Sequence, residues 1–109
     1  MEYSQYINRV ELQGIVGTSK VISIGDKKVV RFSLATNYAY KDKEGYPVIE
    51  TTWHACSVWA ERKADLTMYR KGTPLHIEGR IRNIRYTDAS GCERTTLEVV
   101  VTKIERVEL

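Results

Sequence analysis

"AERKADLTMYRKGTPLHIEGRIRNIRY", residues 60–86, holds the change of pattern on which the fold turns. Its first half has no β-branched run beyond Thr67, carries Ala64, Leu66, Met68 and Tyr69, and stops at Gly72 behind basic residues. That composition predicts a short helix over 60–72. From Pro74 the chain alternates instead. Leu75, Ile77 and Ile81 fall on one side around Gly79, while His76, Glu78, Arg80, Arg82, Ile84 and Tyr86 fall on the other. A period of two is the signature of a strand.

Strands continue in both directions from this stretch. Over residues 8–16, Val10, Leu12 and Val16 share one parity with Gly14, which marks a bend or close approach. A short apolar piece, "VISI" (21–24), meets the turn "GDKK", and "VVRFSLATNY" (29–38) then sets Val30, Phe32 and Leu34 against Arg31, Ser33 and Ala35. "AYKDKEGYP" (39–47) reads as a projecting hairpin tip, and "VIETTWHACSVW" (48–59) as a third strand rich in β-branched and aromatic residues. Past Tyr86, "TDASGCE" is a turn and "RTTLEVVVTKIERV" (94–107) a fifth strand. Five strands with one helix between the third and fourth is the order of an all-β OB-fold barrel. At 109 residues the chain is expected to form a single domain, 1–109.

Composition narrows the function classes without naming one. The 17 basic and 14 acidic residues leave a net charge of +3, so a polyanion-binding reading rests on where the charges sit. "MEYSQYINRV" offers no signal-peptide run, and no stretch approaches the roughly 20 apolar residues that span a bilayer. A cytoplasmic, nucleoid-associated protein with no membrane partner is expected. Cys56 and Cys92 lack CxxC partners and are expected to be reduced thiols. Together with His54 and His76 they match no paired-ligand zinc spacing, so neither metal nor cofactor is expected. Glu50, Glu61, Asp65 and Glu78 are dispersed and form no recognisable hydrolase motif, so no catalytic residue is assigned.

The aromatic and basic residues form a more telling pattern. Trp53, Ala55, Ser57 and Trp59 share one parity of the third strand, and His54, Cys56 and Val58 the other. The two tryptophans lie about 20 Å apart along an extended strand, with small side chains between. Either they fill the core, or they stand on an open face; parity alone leaves both readings standing. Tyr38, Tyr40, Tyr46 and Tyr86 lie around them, and Arg31, Lys41, Lys43, Arg80, Arg82 and Arg85 are interleaved. Rings offer stacking surfaces to bases and cations offer partners to phosphates, which suits an unpaired strand; duplex DNA hides its base faces.

The chain resembles the bacterial single-stranded DNA-binding proteins. "NRVELQGIVG" looks like that family's opening strand, "RFSLATN" its second, "TTWHACSVW" its third and "YRKGTPLHIEGRIRNIRYTDASGCERTTLEVVV" its closing region, covering Asn8 to Val101. The resemblance implies base stacking on Tyr40 (after "LATNYA"), Trp53 (in "TTWH"), Trp59 and Tyr86 (in "RYTDASG"). Tyr40 and Tyr86 stand where the family commonly has tryptophan, and Trp59 where it has phenylalanine. His54 matches a histidine at a family subunit contact, so the resemblance also implies a homotetramer. Family members usually continue into a flexible linker and an acidic tip that recruits replication and repair enzymes. This chain stops at "KIERVEL", with Glu105 and Glu108 alone near its end, so the resemblance is to a short form lacking that tip, with replication or recombination proteins kept as partners and the route of their recruitment left open.

The resulting expectation is a non-enzymatic protein that binds and protects single-stranded DNA in replication, recombination or repair. Arg31, Lys41, Lys43, Arg80 and Arg82 would meet phosphates. The alternative is an OB-fold adaptor that docks on replication or recombination proteins and binds nucleic acid weakly.

Overall fold

The computed structural model describes residues 5–61 and 64–108. Five strands, β1 (Val10–Ile24), β2 (Lys27–Lys41), β3 (Pro47–Glu61), β4 (Pro74–Thr87) and β5 (Glu93–Arg106), close into a barrel in the order β1-β2-β3-β5-β4. β3 and β5 run parallel, and the other neighbours are antiparallel. This is the OB-fold architecture that the strand order predicts.

β1 is longer than its alternation suggests. Residues 21–24 are its outer end, paired with residues 27–30 across a two-residue turn in which Gly25 has φ 62°. A glycine with positive φ at that place lets the hairpin follow the twist of its strands. Between Val16, opposite Leu34, and Ser19, opposite Phe32, β1 carries one residue more than β2. This bulge bends β1, which pairs with β4 over Val10–Ile15 and with β2 over Ile15–Ile24. One strand thereby closes both sides of the barrel. The expected close approach at Gly14 is present, since a Cβ there would run into the carbonyl of Ala35.

Val16, Val30, Phe32, Leu34, Cys56, Leu75, Ile77, Val99 and Val101 fill the interior. Ile81 shares the parity of Leu75 and Ile77 but is 42% exposed. β4 pairs with β1 only as far as Gly79, so Ile81 still faces the core residue Val99 on β5 but has no β1 partner on its other flank, and β4 runs on as one arm of a long hairpin.

The helical segment is shorter than expected, a single 3-10 turn over Thr67–Tyr69; positions 62 and 63 of the expected helix lie outside the described residues. The Asp65 carboxylate accepts the Thr67 N–H at 2.9 Å, and the Tyr69 and Arg70 N–H groups bond three residues back, to Leu66 and Thr67. The tight turn swings Tyr69 inward against Phe32, with ring centroids 5.4 Å apart, so packing overrides helix propensity. Gly72 ends the segment at φ 91°, and its N–H bonds the Val16 carbonyl at 2.8 Å, tying the connection onto the bulge of β1.

Both long hairpins have tips organised by an aspartate. Asp42 accepts the N–H groups of Glu44 and Tyr46, each at 2.9 Å. Asp88 accepts Ser90 N–H at 2.9 Å, Ser90 Oγ–H at 2.7 Å, Cys92 N–H at 3.0 Å and Arg94 Nε–H at 2.9 Å. The Ser90 hydroxyl, followed by Arg94, pulls the Asp88 carboxyl down to about 2.

Candidate nucleic-acid interface

The β2–β3 ladder decides which side of β3 carries the tryptophans. Ala35 faces Trp53, Ser33 faces Ala55, Arg31 faces Ser57 and Val29 faces Trp59. Cys56 on the opposite parity is buried among Phe32, Val99 and the other core residues, which leaves Trp53 60% and Trp59 58% exposed. The tryptophans therefore stand on the outer surface. Ala55 and Ser57 keep the space between them low, and Arg31 rises beside that space.

The same outer face extends across the barrel. Arg31 pairs with Ser57, Ser57 with Val100 and Val100 with Arg80, which forms one lateral row over β2, β3, β5 and β4. Three strand spacings put Arg31 and Arg80 about 14 Å apart. Further along β4 come Arg82, opposite Glu98, and Tyr86, opposite Arg94 and 51% exposed.

Tyr40 lies elsewhere. It shares the parity of Val30, Phe32 and Leu34, not that of Trp53, and is carried by the β2–β3 arm past the end of the core. There it is 44% exposed and leans on Tyr38, with ring centroids 6.0 Å apart. Lys41, Lys43 and Tyr46 crown the same arm. Arg31, Lys41, Lys43 and Arg80 are exposed and have no ion-pair partner among the described residues.

Arg82 is different, because its guanidinium already has an acidic partner. Its Nε and Nη2 donate to Glu98 Oε1 at 3.0 and 2.8 Å, and Glu98 is 3% exposed. A guanidinium held by a buried carboxylate offers little net charge to a polyanion. Glu98 went unnoticed in the sequence, although an acid inside the apolar run "LEVVV" was its signal.

Gly17 and Lys71 were also missed. A Cβ on Gly17 would collide with Cζ3 of Trp53 and come within 2.9 Å of Cη2 and 2.8 Å of Ser33 Oγ, so the indole lies directly on β1. Ser33 Oγ in turn accepts the Thr18 N–H at 2.9 Å. Gly17, Thr18, Ser33 and Trp53 line a cleft of about 410 Å³ whose remaining wall is Lys71, from the loop after the 3-10 turn.

The other candidates are scattered. Burial and the Glu98 carboxylate push the Cys56 thiol up to about 12, while Cys92 is exposed on the β4–β5 tip. His54 Nε2 is 2.8 Å from Thr36 Oγ1, and burial lowers its pKa. His76 stands between Glu11 and Glu105, at 2.8 and 3.8 Å. No group of three His, Cys, Asp or Glu among the described residues is arranged to hold a metal ion. Glu78 is engaged by Arg9 and Lys103. His54 also borders a groove of about 530 Å³ where Ile81 and Leu97 are exposed and Val10 and Leu12 half-buried. No described helix is long and apolar enough to cross a membrane.

The model of the single-strand binding protein family matches residues 7–107. The single-stranded DNA-binding proteins of Neisseria meningitidis serogroups A and B are each 28% identical over 102 residues, covering 91% of this chain. The chain spans 59% of the length of those relatives. Among solved structures, the Plasmodium falciparum SSB complex with ssDNA superposes with a TM-score of 0.75 at 24% identity, covering 98% of this chain and 100% of that one. The small single-stranded DNA-binding protein of Streptomyces coelicolor gives 0.66 at 22% identity, over 91% and 93%. At such identities these superpositions establish the fold.

Proposed function

Because the chain belongs to the single-strand binding protein family, we propose that it binds single-stranded DNA with little sequence preference and protects it during replication, recombination or repair. The observation that carries this reading is the outer ladder of β2 and β3, where two exposed indoles flank a low, small-residue floor with Arg31 beside it. Trp53 and Trp59 stack on bases there, Tyr86 extends the surface along β4, and Tyr40 supplies a ring on the β2–β3 arm. Arg31, Arg80, Lys41 and Lys43 meet phosphates; Arg82, braced by Glu98, shapes the surface between them. The reaction is binding alone, in the cytoplasm, by a single domain over 1–109.

A homotetramer fits the same reading. The groove beside His54, with Ile81 and Leu97 at its edge, is an apolar surface of the kind that subunit contacts cover. Light scattering at micromolar concentration is expected to give four copies, and a monomer would remove the proposal.

Fluorescence anisotropy tests the binding function. Labelled oligo(dT) is expected to bind below micromolar Kd at low salt and far more tightly than a duplex of equal length. Binding weaker than micromolar would favour an adaptor that docks on replication proteins.

A further inference from the structure

Gly17 sits in the bulge of β1 between core residue Val16 and Thr18, and its backbone has no positive φ. Nothing in its conformation calls for glycine. What calls for it is space: an added Cβ would meet Cζ3 and Cη2, the outer atoms of the Trp53 indole, and the Ser33 hydroxyl. The ring therefore rests on the strand with one side seated, while 60% of the residue stays open. Ser33, bonded to the Thr18 N–H at 2.9 Å and 3.1 Å from its hydroxyl, locks the bulge in the shape that makes the seat.

On the reading that Trp53 stacks on a base, we propose that Gly17 is the positioning residue for that stack. The bulge and its missing side chain fix the indole before DNA arrives, so binding does not have to immobilise a free side chain. Ordering one such side chain on association weakens binding by about two- to twelvefold. Any substituent at position 17 lifts the ring from its seat and restores that loss. The bulge supplies the geometry, since the extra residue brings Gly17 under a side chain rooted two strands away on β3.

A double-mutant cycle with Gly17→Ala and Trp53→Ala isolates the effect. Gly17→Ala is expected to weaken oligo(dT) binding by about three- to tenfold at fixed salt. It should also alter the near-ultraviolet circular dichroism of Trp53, read in a Trp59→Phe background, while leaving the far-ultraviolet spectrum unchanged. In the Trp53→Ala background Gly17→Ala should change affinity by less than about twofold. With Trp53→Phe, which lacks Cζ3 and Cη2 of the indole, it should again cost little. An equal loss in both backgrounds, an unchanged Trp53 spectrum, or a Gly17→Ala chain that fails to fold even alongside Trp53→Ala would overturn the proposal. Trp53→Ala binding as tightly as the parent would instead sink the stacking reading on which it rests.

Discussion

Arg80 and Arg82 lie two positions apart on one face of β4, yet the structure predicts opposite roles in the salt dependence of binding. Arg80 is exposed and unpaired among the described residues, so it can neutralise a phosphate and release its condensed counterions. Removing it should flatten the slope of log affinity against log salt by about 0.7, the value per phosphate for single strands. Arg82 donates twice to one oxygen of a carboxylate that is 3% exposed. Its charge is already cancelled. The single variant Arg82→Ala is a poor test, because a bare Glu98 would repel DNA and lower stability, by less than the 3 to 5 kcal/mol typical of breaking a fully buried pair since Arg82 is half-exposed. The informative perturbation is Arg82→Met with Glu98→Leu, which removes both charges and is expected to leave folding near neutral. Anisotropy titrations of labelled oligo(dT) over a sodium chloride series should give the parent slope for this pair and a slope flatter by about 0.7 for Arg80→Ala. If the neutral pair flattens the slope as much as Arg80→Ala does, Arg82 reaches a phosphate despite Glu98 and the reasoning fails.

Trp59→Ala should weaken oligo(dT) binding by about 1 to 3 kcal/mol with little change in Tm, because its ring stands outside the core; a large drop in Tm would mark it as a packing residue. Tyr69→Ala removes the ring that packs on Phe32 and should destabilise the fold by about 3 to 5 kcal/mol, read by urea denaturation; a change below about 1 kcal/mol would contradict its place in the core. Asp88 has a folded pKa of about 2 against an ordinary 3.8, so its contribution to the β4–β5 tip is present above 3.8 and lost as pH falls through 2. The Ser90 and Cys92 amide shifts should accordingly titrate near pH 2, whereas a midpoint near 3.8 would mean that the tip bonds do not persist in solution.

Alternation along single strands was legible wherever both neighbours of a strand hold it in the barrel, as for Val30, Phe32 and Leu34. It could not say which parity of β3 faces outward, because that follows from pairing with β2 and β5. Ile81 shows the limit: it keeps the core parity and faces Val99, but β1 stops pairing with β4 at Gly79 and leaves it exposed. Among the described residues, the helix expected over 60–72 is reduced to a 3-10 turn at Thr67–Tyr69, where Tyr69 is drawn onto Phe32, a partner far away in sequence. For the site, strand pairing is what puts Trp53, Trp59, Arg31 and Arg80 on one face. The Glu98 brace and the Gly17 seat were beyond reach, since each depends on two strands meeting across the barrel.

The central claim is that the two indoles on β3 are stacking platforms for bases. Each can be followed alone, Trp53 in a Trp59→Phe variant and Trp59 in a Trp53→Phe variant, by its emission during titration with oligo(dT). Stacked bases should quench both signals, saturating at the same oligonucleotide concentration as an independent anisotropy curve. Full binding by anisotropy with both emissions unchanged would contradict the account.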